Sequence, residues 1–254
     1  MLRARRKSNG ETVLAYSESK KNGPFACEIC NEEVILKSGG KKINHFAHVN
    51  PFACEYSIAE SDEHLRCKLE IYEALLRERG VQSVCMERPL GTVRPDVSAY
   101  INGVPVAIEI QISALSQETI RQRTIEYFRK GIAVLWLLPW REELNNPRYF
   151  PESWEKWIHA CYFGRVYYWL RNLEIVSYRF EPCLKNTSPK AWYGKNGEKV
   201  SSRGFTRRLK QSRTPVRERK LHLVRDFAPK HRYWWEGNGI VVPDAKLFME
   251  RFAP

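Results

Sequence analysis

The sequence has no apolar run long enough to cross a bilayer. The longest, around Ile132–Leu138, falls far short of the roughly 18–20 residues that a spanning helix needs. Behind the basic start MLRARRKSNG come Gly10 and Glu11 rather than an apolar segment, so no secretory leader and no membrane partner are expected. Internal repeats and low-complexity runs are absent. Cysteine is too sparse for a disulfide framework: seven, an odd number, are scattered over 254 residues, and a reducing cytoplasm is the expected compartment. With 43% apolar and 28% charged residues, the chain has material for one or two ordinary cores, and wholesale disorder is excluded.

Acidic residues are scarcest in one segment. The net charge is +13, from 42 Lys and Arg against 29 Asp and Glu. Between Lys185 and Arg232 stand 15 basic and 3 acidic residues, a surplus of +12, which leaves the rest of the chain at +1. Trp192, Tyr193 and Phe205 interleave with these cations, and Tyr233, Trp234 and Trp235 follow. Cations mixed with aromatic rings suit a polyanion that carries stackable bases. Arg203, Arg207, Arg208, Lys210 and Arg213 are the candidate contacts. The plainer alternative is a basic, partly disordered tail that keeps the protein soluble.

Three regions follow from composition. Residues 1–57 are rich in Cys, His, Gly and Lys; residues 58–140 alternate helix and strand signals; residues 141–254, beginning at a Pro/Asn break, are aromatic and then basic. In the middle region, Ile58–Arg79 reads as a helix with Leu65, Leu69, Tyr72 and Leu76 on one stripe and Gly80 past its end. Val81–Arg88, Asp96–Ile101 and Val104–Ile112 read as strands, the last two joined by the hairpin dipeptide Asn102-Gly103. Ser116 caps a second helix that ends at Gly131, and Ile132–Leu138 fits a strand buried on both faces. This order defines an α/β core. The aromatic-dense segment Trp154–Trp169 fits a packed core or a contact in a homodimer, with base stacking as the sharper alternative.

Cys27-x2-Cys30, followed by His45-x2-His48 and Cys54, offers thiolates and imidazoles at the spacing of a structural zinc site. Five candidates compete for four places. Cys27, Cys30, His48 and Cys54 form the favoured set, with His45 as the alternate ligand. Gly39-Gly40 would turn the second half back on the first. The alternative is a set of unrelated buried thiols and histidines. Cys67, Cys85, Cys161 and Cys183 lack ligand spacing and read as core residues.

A two-residue turn at Asn102-Gly103 makes partner numbers sum to 205, so Asp96 faces Glu109. Partners project from one face of the sheet. On this register Asp96–Glu109 falls at a non-hydrogen-bonded position, where Cα atoms approach to ~4.5 Å. Like charges so placed repel, and a divalent cation such as Mg²⁺ or Mn²⁺ would resolve the conflict. The alternative, two acids splayed into solvent, sits poorly with Glu109 inside the apolar run Val104–Ile112. Glu60, His64 and Lys68, spaced i, i+4, i+8 on the preceding helix, would lay an acid, an imidazole and an ammonium against the pair. The same pattern is also common on helix surfaces.

Pro95-Asp96 followed after a gap by Glu109-Ile110-Gln111 is similar to the PD-(D/E)XK nuclease signature, with Gln111 where lysine is usual. CEIC, HFAH, ESDEHLRCK, RPDV, AIEIQIS, IRQRTIEYFRKGI and VLWLL together resemble the competence protein CoiA-like family over about residues 25–140. The resemblance implies a restriction-endonuclease-like mixed β-sheet flanked by helices, a zinc-finger-like N-terminal module, and a basic C-terminal extension lying outside it. It also implies a Mg²⁺-dependent phosphodiesterase site and a role in DNA uptake or recombination, so that DNA, whether single-stranded, duplex or branched, and recombination proteins are the expected partners. On that resemblance Asp96 and Glu109 bind Mg²⁺, Gln111 takes the third motif position, and Glu60 and His64 are accessory. Arg123 would contact phosphate or support the site, while Lys68 or Arg94 would supply the cation that Gln111 lacks.

Overall fold

The computed structural model describes residues 1–50, 54, 60–193 and 195–251. At the N-terminus, β1 (Arg3–Arg6), β2 (Thr12–Leu14), β3 (Phe25–Ala26), β4 (Glu33–Lys37) and β5 (His45–His48) form an antiparallel sheet in the order β2-β1-β3-β4-β5. Phe25, Val34, Leu36 and Phe46 close a small core of their own. The alternating burial along β4, exposed then buried, is what a sheet with one wet face requires.

The first helix, α1, runs Asp62–Leu76, capped by Ser61 Oγ, which accepts from His64 N at 3.1 Å. Ile58, where the helix was expected to begin, lies outside the described residues. The expected stripe is corrected: α1 buries Leu65, Cys67, Lys68, Ile71, Tyr72 and Leu75, while Leu76 is 54% exposed. The helix is rotated so that Lys68, a charged residue, faces inward, because carboxylates wait for it there.

A nine-stranded mixed sheet forms the body. β6 (Val81–Met86), β7 (Val97–Ile101) and β8 (Val104–Ile110) are antiparallel neighbours. From β8 the chain crosses through α2 (Gln117–Arg129) into the parallel β9 (Ala133–Pro139), then through α3 (Ser153–Cys161) into β10 (Val166–Arg171), also parallel to β9. Every residue of β9 is buried, as its unbroken apolar run predicts. Ser116 caps α2 as expected, and Gly131 follows it with φ +70°.

Residue 140 is a break in composition but not in packing. β11 (Glu174–Thr187) pairs with β10, and Trp154, Trp157, Tyr162, Tyr167 and Tyr168 lie in the same core as Trp136. The aromatic-dense segment is therefore core. The basic region is not a tail either. β11 continues outward, paired antiparallel with β14 (Phe205–His222) from Glu174↔His222 to Thr187↔Phe205. β12 (Lys190–Tyr193) and β13 (Lys199–Ser202) pair between them at the tip. The chain then returns: β15 (Phe227–Arg232) pairs with β18 (Ala245–Glu250), which touches β9. Between these two strands, β16 (Trp235–Gly237) and β17 (Ile240–Val242) make a small hairpin.

Candidate metal and acid centres

In the N-terminal unit, Cys27 follows β3 and opens a tight turn. Asn31 N donates to Cys27 O at 3.0 Å, and Asn31 takes φ +61°. Ile29 N lies 3.4 Å from Cys27 Sγ. His48 ends β5 opposite Val34, and its Nε2 lies 3.3 Å from Cys30 Sγ. The donor atoms of Cys27, Cys30, His48 and Cys54 all lie within 4.8 Å of one another. Three thiols and one imidazole drawn together in this way fit a structural metal, and the donor softness suits zinc. His45 sits at the other end of the hairpin, opposite Lys37, with Nδ1 2.9 Å from Ile43 O, and does not join the set. Of the other cysteines, Cys67, Cys161 and Cys183 are buried and Cys85 is half-buried.

The acid centre lies where β7 and β8 meet α1 and α2. The turn is built as its residues predict: Asn102 and Gly103 take φ +50° and +80°, and Ile101↔Val104, Ala99↔Val106 and Val97↔Ile108 are partners. Asp96 stands just before β7, its carbonyl accepting from Glu87 N and its Oδ2 accepting from Ile110 N at 2.8 Å. His64 Nε2 is 3.1 Å from the same Oδ2, and His64 Nδ1 is 3.1 Å from Glu60 Oε1. Ligand atoms of Glu60, His64 and Asp96 lie within 4.8 Å of one another. Glu60 precedes the helix rather than riding on it, yet it still reaches the next turn.

Glu109 is not in that triplet. Its Oε1 is held by Arg123 Nη2 and by the Tyr127 hydroxyl, two residues one helical turn apart on α2. The guanidinium of Arg123 also lies 5.5 Å over the Trp136 ring. Gln111 is buried just past the end of β8, and its Nε2 donates to Ser113 O. Lys68 is 1% exposed and bound by Glu60, Glu87 and Asp96, with Nζ 2.8 Å from Glu87 Oε1 and 3.3 Å from Asp96 Oδ1. That placement corrects the expectation that Lys68 offers the cation Gln111 lacks to a nucleic-acid phosphate; its ammonium is locked among carboxylates. Arg94 is half-buried, 4.0 Å from Glu87.

Burial alone would protonate these acids, and for Glu109 it wins. Desolvation lifts its carboxyl to about 7 despite Arg123. At Asp96 burial also pushes upward, but Lys68 and His64 outweigh it and hold the group well below the usual range. Glu60 is likewise held ionised by Lys68 and His64. His64 moves the other way: burial lowers it, and Asp96, with Glu60, raises it to about 9. Two carboxylates kept ionised beside an imidazole form a donor set that fits a hard divalent cation.

Glu87 and Tyr127 were not singled out from the sequence. Arg123 and Tyr127 share the i, i+4 spacing that could have revealed the second. Glu87, in a left-handed conformation with φ +49° just past β6, carries no local signal. Of the predicted polyanion contacts, Arg203, Arg207, Arg208 and Lys210 are exposed on or beside β14, whereas Arg213 is half-buried and bridged to Tyr149 through the backbone.

A metal-ready cysteine unit thus precedes a mixed α/β sheet with an acidic centre. Residues 60–158 match the family model described as "Competence protein CoiA, nuclease-like domain", and residues 10–57 match "Competence protein CoiA, N-terminal domain". Together they span more than half of the sequence, and the chain belongs to the competence protein CoiA-like family. It is 31% identical over 125 residues to "Competence protein CoiA" of Bacillus subtilis (strain 168), a stretch covering 48% of this chain and 33% of that protein. The chain therefore spans about a third of the length of this curated relative. No solved structure matches it. No described helix is long and apolar enough to cross a membrane.

Proposed function

We propose that the protein is a metal-dependent DNA nuclease of the PD-(D/E)XK, restriction-endonuclease-like type, serving DNA uptake, recombination or processing in the cytoplasm. The observation that carries the reading is the convergence of Glu60, His64 and Asp96 within 4.8 Å, beside a second buried acid, Glu109, on the neighbouring strand. A bound Mg²⁺ or Mn²⁺ would polarise the phosphate and acidify a water for in-line attack. Glu60 and Asp96 would ligate the ion through oxygens that the site already keeps ionised. His64 can join them only after losing its proton. Glu109, held by Arg123 and Tyr127, stands near its own titration point at neutral pH, where a group can pass a proton in either direction. Lys68 keeps Glu60, Glu87 and Asp96 together against their mutual repulsion. Gln111 would orient water through the carbonyl end of its amide, and the basic β-arm would hold the DNA backbone.

A second reading has its own support. Gln111 contributes no charge to phosphate, and its amide nitrogen is committed to Ser113. A nuclease-like fold that binds single-stranded or branched DNA without cutting it would look the same. One assay separates the two. Purified protein is incubated with single-stranded, duplex and branched DNA in Mg²⁺ or Mn²⁺, beside Asp96→Ala and Glu109→Ala variants that retain their fold. Cutting by the native protein alone is the expected result. Equal cutting by the variants removes the assignment, and salt-sensitive binding without turnover favours the second reading.

A further inference from the structure

A cleft of about 740 Å³ opens between α3, the base of the β-arm and the β16–β17 hairpin. It shares no residue with the acid centre. Its cations are Lys156, Arg208, Arg213 and Arg232, its rings include Phe163 and Trp235, and no carboxylate is among its described lining residues. Its volume is in the range of small-molecule clefts.

Arg232 is the telling residue. It is 9% exposed, and no carboxylate pairs with it among the described residues. Its guanidinium stands 4.3 Å from the Phe163 ring and 5.5 Å from that of Trp235. Nη2 donates to Ala160 O at 3.2 Å, while Nε is buried with no hydrogen-bond partner. A buried cation without a counter-ion is expensive, and structures rarely leave a buried donor idle. Phe163 adds a second oddity. It is a bulky residue at φ +55°, in the left-handed region, and still 38% exposed; backbone strain that presents a ring to a cleft is characteristic of ligand sites. Arg208 and Arg213 sit on β14, so the cleft continues the cationic track that runs out to Trp192 and Tyr193 on the arm.

We infer that this cleft binds one nucleotide unit of a single nucleic-acid strand. The phosphate would lie against Arg232, Arg213, Arg208 and Lys156, and the base against Phe163 and Trp235. A phosphate supplies the missing counter-charge, guanidinium groups match its geometry, and aromatic faces accept any base. The inference rests on the nucleic-acid half of the reading above but not on cleavage. A free mononucleotide offers the same chemistry; continuity with the arm favours the strand.

The test is fluorescence anisotropy of a short 3′-labelled oligothymidylate bound to the full chain at fixed salt, without added divalent cation. Arg232→Gln and Lys156→Glu are each expected to weaken binding about tenfold, with thermal melting unchanged for Lys156→Glu. Thymidine 5′-monophosphate should compete weakly and polyglutamate not at all. Native-like binding by Lys156→Glu overturns the site, as does equal competition by polyglutamate. Competition by the mononucleotide as strong as by the strand would assign the cleft to a free nucleotide and overturn the strand proposal. If the native protein binds no oligonucleotide, the nucleic-acid reading itself fails. If it binds but both variants match it, only the cleft does.

Discussion

His64 Nε2 lies 3.1 Å from Asp96 Oδ2, so the first turn of α1 is fastened to the mouth of the β7–β8 hairpin by one imidazole. The contact joins residues 32 apart in sequence and gives the metal-free centre its pH response.

Because Asp96 and Glu60 raise His64 to about 9 in the fold, against 6.5 for the ordinary side chain, its contribution to stability is complete below about pH 6.5. It is lost as the pH climbs through 9. Urea titrations of metal-free protein should show stability falling across that interval, and His64→Ala should flatten the fall. Glu109, lifted by burial to about 7 from 4.5, adds an earlier decline between those values, which Glu109→Gln should remove. An unchanged slope in His64→Ala would show that another group controls it.

Lys68 faces three carboxylates with 1% of its side chain exposed. Replacing it by Met leaves buried charges without compensation, a loss of about 3–5 kcal/mol. Equilibrium unfolding should register that drop in Lys68→Met. In Arg66→Met, on the exposed face of the same helix, the change should stay near zero.

Zinc should co-purify with the protein at one ion per chain by elemental analysis, and Cys27→Ser or His48→Ala should abolish it. His45→Ala should keep the metal, since that ring is turned towards Ile43 O. Chelation should lower the melting temperature of the native protein and leave that of the Cys27→Ser variant unmoved.

Arg207, Arg208 and Lys210 are exposed on β14. Charge reversal at these positions should weaken DNA binding for every sequence alike. Each lost phosphate contact on duplex DNA should reduce the slope of log affinity against log salt by about 0.9. A sequence-dependent loss would mean that the arm reads bases.

The hairpin register, the cap at Ser116 and the buried strand after Gly131 were legible because each depends on local chemistry: a left-handed dipeptide, a hydroxyl before a helix, an unbroken apolar run. The metal knot was legible because ligand spacing is itself local. On α1 the i, i+4, i+8 spacing of Glu60, His64 and Lys68 did mark the face that meets Asp96, whereas the apolar stripe through Leu76 did not hold, because the helix turns that charged face inward to Glu87 and Asp96. Glu109, expected to share an ion with Asp96, has its Oε1 held by Arg123 and Tyr127 of α2, a contact set by packing that no local pattern announces. The arm was hidden for a related reason. A strand as polar as β14, exposed along most of its length, has no apolar alternation to announce it, and only pairing with β11 reveals it.

Beyond Tyr178, β11 has left β10 behind and, among the described residues, is paired with β14; apart from the Tyr149–Arg213 bridge and the contact of Phe180 N with His159 Nε2, no further strand covers either flank of the outer ribbon among the described residues. Such flanks invite other chains to add themselves as strands. Here every would-be neighbour of the same kind arrives bearing the same dense positive charge and is repelled. The arginines and lysines proposed to hold an acidic polymer also disfavour strand addition between copies of the protein, and neutralising them should make this edge more prone to self-association.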